Sequence, residues 1–227
     1  MATVYTIIVV LAGIIALFIT LTITNILQAG SKKAHTRSMA DILGVDPKKA
    51  TYDDIEKLSR KETMQLFIAA STPDFKALNG EFKARLLSGG VLGKSSELFT
   101  HHVFPTGCIT VHTKWIGKAF KPASDSSGQG YNIFEEKTKS GTRILRLRKI
   151  DTNLAPSKIA RDNKNSFQIN YSRYNKGTVH SMCDEIRKIN ENLYIGMGYM
   201  GLGGGSANPA PFALVGKPSP WVGPDKS

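Results

Sequence analysis

An apolar run from Val4 to Leu27, VYTIIVVLAGIIALFITLTITNIL, constrains the fold of this 227-residue chain more than any other feature. Apart from its threonines, only Tyr5 and Asn25 bring polar groups into the run. Because an α-helix rises about 1.5 Å per residue, a run of this length can cross a hydrocarbon core roughly 30 Å thick. Threonine hydroxyls bond to the preceding helical turn and do not prevent insertion. The sequence predicts a single-pass membrane protein with a transmembrane anchor over residues 1–30.

A signal peptide and a buried core helix account for the apolar run less well. A cleaved signal peptide needs a basic start, an apolar core of about 7–15 residues and a small-x-small cleavage site. Here the chain starts Met-Ala-Thr, the apolar core is longer, and Leu27-Gln28-Ala29 is a poor cleavage triplet. A helix buried in the core of a soluble protein is seldom apolar around its whole circumference. A membrane anchor is therefore the favoured interpretation.

The basic residues beside the run predict its orientation. Lys32, Lys33 and Arg37 follow it closely, whereas no basic side chain precedes it. The positive-inside rule then predicts that the C-terminal domain lies on the cytoplasmic, matrix or stromal side, with the mitochondrial inner membrane or another organellar membrane among the candidates. The same three side chains are predicted to contact the membrane surface, including anionic lipid headgroups.

Composition limits the partners and the redox environment. The chain carries 30 Lys and Arg against 18 Asp and Glu, a formal net charge of +12. Such a charge favours an anionic partner, which could be lipid headgroups, an acidic face of another membrane-complex subunit, or nucleic acid. Nucleic acid is disfavoured because no basic run is interleaved with aromatic residues. Cys108 and Cys183 are too few for a secreted disulfide scaffold, so both are predicted to be free, buried thiols.

Residues 31–77 read as a basic tether followed by short helices. A short helix is possible at Met39–Leu43. Two capping-box patterns predict a pair of helices after it: Thr51-x-x-Asp54 for a helix over 52–58, and Ser59-x-x-Glu62 for a helix over 60–70.

From residue 79 the spacing of apolar residues changes from helical to strand-like. Turns rich in Gly, Asn, Ser and Pro separate the candidate strands. After Phe82–Leu86 these candidates are residues 98–104, 108–120, 131–136, 142–150, 166–173, 179–189, 193–200 and 211–215. Met182–Lys188 could instead be helical, but the hairpin-like sequence after it favours a strand. Many short strands at this spacing are typical of an antiparallel sandwich or barrel.

Polar and apolar residues alternate along these strands. Leu145 and Leu147 alternate with arginines, and the odd-numbered residues from Phe167 to Tyr171 are apolar while the even ones are polar. Each strand therefore has one polar and one apolar face, the pattern of a small closed barrel. The barrel domain is predicted over residues 78–202, and a Gly/Pro-rich tail over 203–227 is predicted to dock on this domain or on a partner.

Several strand segments together resemble a known class of fold. Gly80-Glu81 opens one strand, Lys114–Phe120 (KWIGKAF) forms another, and Asp184–Arg187 (DEIR) precedes Leu193–Gly196 (LYIG). In this arrangement residues 78–200 resemble small lipocalin-like (calycin-type) barrel proteins of uncharacterised families. The resemblance implies a barrel able to hold one small apolar ligand, and it carries over no ligand-binding residue. The predicted fold class is mainly β: an antiparallel lipocalin-like barrel, preceded by one transmembrane helix and two short helices.

Eight large side chains are predicted to line the barrel interior and to form the site of a ligand. Each lies on the apolar phase of an alternating strand or within the densest strand run. They are Phe82, Trp115, Leu145, Leu147, Phe167, Ile169, Tyr171 and Ile195.

Three short patterns resemble binding motifs but lack the expected context. Gly196–Gly201 matches G-x-G-x-x-G, yet a glycine- and proline-rich segment follows it instead of the helix and parallel strand of a dinucleotide fold. Gly89–Ser95 is similar to a phosphate loop, but Ser88 replaces its first glycine and the segment after it is predicted to be a strand. His101 and His102 would point to opposite faces of a strand. No cofactor and no metal site are therefore predicted.

No catalytic set is predicted either. The chain lacks a nucleophile elbow and a Ser-His-Asp order. Asp184 and Glu185 could act as acid or base in a pocket, but pairing with Arg187 and Lys188 is the more ordinary role of such carboxylates.

Three classes of function remain open. The favoured one is a membrane-anchored, non-catalytic barrel that binds a lipid or another apolar molecule at a membrane surface. The second is an accessory structural subunit of a larger membrane complex, such as an organellar energy-transducing complex. The third is an enzyme that acts on a membrane-derived substrate, and the missing catalytic set weighs against it. An apolar cavity of a few hundred Å³ would favour binding, since ligand pockets are about that size.

Overall fold

The structure, a computed structural model, describes residues 2–30 and 37–226. Helix α1 (Ala2–Gln28) contains the apolar run and is long and apolar enough to cross a membrane. All of its side chains from Val4 to Thr20 are exposed, and the partly or fully buried side chains of α1 lie in the turns that follow. The N-terminal helix expected from the sequence is thus confirmed as a helix of sufficient length and hydrophobicity.

Three short helices connect α1 to the barrel: α2 (Met39–Leu43), α3 (Tyr52–Glu56) and α4 (Arg60–Ala69). Serine and acidic side chains cap α2 and α4 reciprocally, so that two otherwise unpaired N–H groups are bonded at each helix start. At α3 the Thr51 amide donates to Asp54. The helices therefore begin where the capping boxes predicted.

Eight antiparallel strands form a closed barrel, each pairing with the next and the last with the first. They are β1 (Gly80–Leu86), β2 (Thr113–Pro122), β3 (Ser127–Thr138), β4 (Gly141–Pro156), β5 (Asn165–Asn170), β6 (Cys183–Asn190), β7 (Leu193–Tyr199) and β8 (Ala210–Ser219). The predicted fold class, a mainly β antiparallel barrel after an apolar helix and short helices, is confirmed.

Strand β8 extends the barrel beyond residue 202, where the sequence placed the end of this domain. Its residues pair with β1 on one side and with β7 on the other, for example Ala213 with Arg85 and with Ile195. The segment 203–227 is therefore not only a docked tail, because its middle part closes the sheet.

The strand predicted over residues 98–104 is wrong. Helix α5 (Gly93–Leu98) continues into a π-helical segment (Phe99–Val103) that lies across one end of the barrel. The imidazole Nδ1 of His101 accepts a hydrogen bond from the Trp115 amide at 3.0 Å and so joins this segment to β2. A short apolar run does not distinguish strand from helix, and here the tertiary contact decides.

The barrel interior is packed with aromatic rings at the end formed by the starts of β1 and β3. The Phe167 ring lies 4.8 Å from that of Phe75 and 5.0 Å from that of Phe120, measured between centroids. Phe82 and Tyr194 extend this cluster toward the middle of the barrel at 6.0 Å. We call this the closed end, and the opposite end, covered by α5 and the π-helical segment, the mouth.

Two further apolar clusters lie on the outside of the barrel. Helices α2 to α4 cover β7 and β8, so that Phe67 of α4 belongs to the same buried cluster as Ile195 and Met197. At the other side Trp221, after β8, packs on the ring of Tyr131 at 4.6 Å. The stretches Leu193–Met197 of β7 and Pro211–Leu214 of β8 are therefore buried on both faces.

Replacing Phe167 with alanine should lower the free energy of unfolding by about 3–5 kcal/mol, because the ring is fully buried among other rings. Chemical denaturation of the detergent-solubilised protein measures this loss. Phe99→Ala is the matched control, since Phe99 is half-buried at the mouth and its removal should cost less. Equal losses for both variants would contradict the packed closed end.

Candidate functional site

A cavity of about 540 Å³ occupies the mouth, above the aromatic cluster of the closed end. Trp115, Tyr171 and Phe212 of the barrel form part of its wall. Phe99 and Val103 of the π-helical segment also line it, and α1 contributes the ring of Phe18. The cavity is therefore bounded by the barrel, by its covering helix and by the apolar N-terminal helix.

A buried polar cluster lies at the floor of this cavity. The Lys118 ammonium donates to Asn132 Oδ1 at 2.8 Å, to Tyr171 Oη at 2.7 Å and to Asp184 Oδ2 at 2.7 Å. Lys118 and Asp184 are almost completely buried and form an ion pair. Three acceptors around Nζ match the three protons of an ammonium group.

Burial and the ion pair act in opposite directions on Lys118. Burial lowers the pKa of its ammonium group, and the attraction of Asp184 opposes this change. Aromatic rings also surround the cation, with Nζ 5.4 Å from the Trp115 centroid and 5.3 Å from that of Phe212. Ring faces attract cations, so these contacts favour the charged form together with the carboxylate.

Tyr171 links the members of the cluster. Its hydroxyl donates to Asp184 Oδ2 at 2.8 Å and accepts from Lys118 and from Asn132 Nδ2. Burial, followed by the charge of Asp184, raises the pKa of Tyr171 well above its ordinary value. The Trp115 indole N–H donates to Asn132 Oδ1 at 3.2 Å. The cluster is thus an ion pair without net charge. The ammonium protons of Lys118 and the hydroxyl proton of Tyr171 are all donated to acceptors within the protein.

Two glycines of the G-x-G-x-x-G pattern make room for this floor. A Cβ on Gly198 would lie 2.7 Å from Asp184 Oδ1, and one on Gly196 would lie 2.1 Å from the Phe212 ring. Both distances are shorter than real Cβ contacts, so any larger residue would require Asp184 or Phe212 to move. These two glycines serve packing of the cavity floor, where neighbouring side chains approach the backbone closely.

A β-bulge turns Lys118 into the barrel. The pairing of β2 with β3 shifts register between Trp115 and Gly117. Strict alternation from Trp115 would place residues 117 and 119 inside, whereas the extra residue brings Lys118 and Phe120 inside instead. Sequence reasoning missed Lys118 for this reason. A lysine within the apolar run KWIGKAF was the available signal.

The end of α1 is fixed to the mouth by polar contacts. The Asn25 carboxamide donates to Asn208 Oδ1 at 2.8 Å, and the Asn25 carbonyl accepts from Arg60 Nε at 2.8 Å. Arg60 also donates to Asn208, and the Val91 amide donates to Gln28 Oε1 at 3.0 Å. Burial lowers the pKa of Arg60 to about 10. Asn25, an isolated polar residue in the apolar run, thus has a structural partner.

The structure separates the eight side chains predicted to line a ligand site. Trp115 and Tyr171 lie in the cavity wall. Leu145 and Leu147 are partly buried against the interior cluster. The remaining four are fully buried elsewhere: Phe82, Phe167 and Ile169 in the interior cluster, and Ile195 in the outer cluster beneath α4. A role of any of them in ligand binding stays a prediction.

The residues predicted to contact the membrane are only partly described. Lys32 and Lys33 lie outside the described residues. Arg37 is exposed and donates to the Asp41 carbonyl at 2.7 Å, and its guanidinium lies 3.9 Å from the Glu62 carboxylate.

Both cysteines are free. The prediction that they are buried is wrong for Cys108, which is exposed on a loop at the mouth, while Cys183 is half-buried.

The histidines and the loop at Gly89 have structural contacts of their own. His102 Nδ1 lies 2.9 Å from the Thr110 carbonyl oxygen. This contact joins the loop that follows the π-helical segment to that segment. A helix, not the predicted strand, follows Gly93. Among residues 2–30 and 37–226, no group of three or more His, Cys, Asp or Glu side chains is placed to hold a metal ion.

Comparisons with known proteins give little further information. No protein-family model matches the chain, and no curated protein matches its sequence. A solved structure, described as a protein from Thermomonospora curvata, is similar over 67% of this chain and 84% of its own, with 14% sequence identity and a TM-score of 0.44. A similarity this low carries no information on function.

Removing one member of the buried ion pair should be strongly destabilising. Lys118→Met leaves the Asp184 carboxylate without its cation, at a cost of about 3–5 kcal/mol in the free energy of unfolding. Adding Asp184→Asn should recover part of this loss, because the second change removes the unpaired charge. Chemical denaturation of the two single variants and the double variant measures the coupling.

The exposed pair of Lys76 and Asp125, 2.6 Å apart, is the matched control. Lys76→Met and Asp125→Asn should show a coupling of less than about 1 kcal/mol, as exposed pairs do. A coupling between Lys118 and Asp184 no larger than that of the control pair would mean that the cluster does not hold the cavity floor together.

Proposed function

We propose that this protein is a membrane-anchored, non-catalytic barrel that binds a neutral apolar molecule in the mouth cavity. The observation that carries the proposal is the cavity itself. Its volume of about 540 Å³ lies within the range of roughly 300–1,000 Å³ usual for ligand pockets. Aromatic and aliphatic side chains supply most of its wall, including Phe212, Phe104 and Met182.

The floor of the cavity supports a neutral ligand over a charged one. Lys118 donates all three ammonium protons within the protein, and Tyr171 donates its own to Asp184. A carboxylate or phosphate entering the cavity would lose its water without finding a free proton donor at the floor, which is costly. A neutral lipid-like molecule avoids this cost.

The same bonding argues for binding over catalysis. A nucleophilic lysine needs a nitrogen lone pair directed at the substrate. Each N–H direction of the Lys118 ammonium is occupied by an acceptor of the protein, and the acceptors hold the proton in place. The cluster therefore supports a role in shaping the cavity.

The position of α1 beside the cavity supports a site at a membrane. The α1 ring of Phe18 lines the cavity wall, so a molecule in the cavity lies beside the helix that is long and apolar enough to cross a bilayer. A ligand that dissolves in the bilayer would have a short path into the barrel. This proximity supports the bilayer as the source of the ligand.

Ligand binding should raise the melting temperature of the detergent-solubilised protein, because a ligand bound only by the native state stabilises it by mass action. A panel of neutral lipids and fatty acids tests the preference, and the neutral lipids should give the larger shifts. Native mass spectrometry should show a neutral lipid retained on the purified protein.

Val103→Trp should reduce these shifts by filling part of the cavity, since Val103 lies in its wall. Val45→Trp is the control, because Val45 is exposed between α2 and α3, away from the cavity. Unchanged melting temperatures across the panel, with no retained lipid, would overturn the binding proposal and favour the role of an accessory subunit.

The orientation of the anchor is a proposal that rests on the charge asymmetry around α1. In sealed vesicles that expose the cytoplasmic, matrix or stromal face, added protease should degrade the C-terminal domain without detergent. Protection of the domain until detergent opens the vesicles would show the opposite orientation.

A further inference from the structure

The chain connections at the mouth differ from those at the closed end. The mouth connections are residues 87–112, 139–140, 171–182 and 200–209, and the closed-end connections are residues 123–126, 157–164 and 191–192. Both sets join the same strands, and the mouth set is much the longer one.

Exposed apolar side chains are concentrated at the mouth. Outside α1, the described part of the chain exposes nine large apolar side chains, and six of these lie in the mouth connections: Val91, Leu98, Ile109, Val111, Tyr174 and Leu202. Ile109 is 79% exposed and Leu202 is 66% exposed. None of the nine lies in the closed-end connections. An apolar surface concentrated at one end of a molecule indicates a specific contact.

Charge is distributed unequally as well. The mouth connections carry four basic residues (Lys94, Lys139, Arg173 and Lys176) against one acidic residue, Glu97. The closed-end connections carry three basic and three acidic residues. Apolar side chains interspersed with basic ones are the composition of surfaces that lie in the interface of an anionic membrane.

The contact between α1 and the mouth determines how close the mouth lies to the hydrocarbon core of a bilayer that α1 spans. Val4–Thr20 is a continuous exposed stretch of α1, and its length of about 25 Å falls short of a hydrocarbon core roughly 30 Å thick. Helix α1 must therefore bring its next turn to the hydrocarbon boundary if it spans. That turn contacts the mouth, since a Cβ on Gly204 would lie 3.4 Å from side-chain atoms of both Thr22 and Ile26.

We propose that the mouth connections form a second membrane-contacting surface, seated in the interface of the bilayer that α1 spans. The exposed apolar side chains enter the boundary of the hydrocarbon, and the four basic side chains face anionic headgroups. The cavity then opens toward lipid and not toward water. This inference rests on the membrane anchoring in the proposed function, but not on ligand binding.

The test uses the full chain in vesicles of phosphatidylcholine and an anionic phospholipid, with a fluorophore on the native Cys108 next to Ile109. Cys183→Ser leaves Cys108 as the single labelling site. Nitroxide-bearing lipids quench a fluorophore only in or near the bilayer, so the Cys108 label should be quenched strongly. The matched control carries Cys108→Ser, Cys183→Ser and Asp125→Cys, which places the label at the closed end, and it should be quenched weakly.

Carbonate extraction at high pH reports separately whether α1 is inserted. An inserted protein whose Cys108 label is quenched no more than the closed-end label would overturn this inference and leave the ligand proposal standing. Burial of the Cys108 label against another protein or a second copy, detected by crosslinking without lipid quenching, would overturn it too. Strong quenching without any ligand-induced shift in melting temperature would support the membrane surface and count against ligand binding.

Substitution of apolar side chains at the mouth gives a second readout. Ile109→Asp with Val111→Asp should reduce quenching of the Cys108 label several-fold, because charged side chains leave the hydrocarbon boundary. Val45→Asp should not change it, since Val45 is exposed near Pro47, whose carbonyl accepts from Asn190 Nδ2 beside the closed-end connection 191–192. Unchanged quenching in the double variant would mean that these apolar side chains do not seat the mouth in the bilayer.

Discussion

The pairing of β8 with β1 is the interaction on which the rest of the structure depends. It turns an open sheet with two exposed edges into a closed barrel, and it creates an interior that side chains must fill. Eight strands enclose a space just wide enough for side chains or one small ligand. Here both solutions occur in one barrel: aromatic rings fill the closed end, and the mouth retains a cavity.

The boundary between these two halves is polar. Lys118, Asp184, Tyr171 and Asn132 place a charged pair in an otherwise apolar interior, where a charge without a partner would cost several kcal/mol. The cluster meets this constraint by satisfying its own hydrogen bonds, and glycine at position 198 leaves room for the carboxylate. A complete internal network keeps the floor rigid and leaves the shape of the cavity to the apolar wall, which is the basis for proposing a neutral ligand.

The polar contacts at the end of α1 couple the helix to the barrel. Asn25, Arg60 and Asn208 hold the helix against the mouth, so Phe18 reaches the cavity wall. Flexible tethering alone would not bring a side chain of the helix into the site. The proposed ligand path and the proposed membrane surface both follow from this fixed geometry, since each requires the mouth to lie next to the apolar helix.

Local sequence patterns by themselves determined the apolar helix, the starts of the capped helices and the mainly β barrel, because helical and strand periods and capping side chains are properties of neighbouring residues. The tertiary structure decided the rest. A bulge changed the phase of β2 and turned Lys118 inward, which alternation could not reveal. Ile195 lies on the outer face of the barrel, where it packs beneath α4. Contact with β2 kept residues 99–103 helical. In each case the deciding partner lies far away in the sequence, so only the closed barrel brings it into contact.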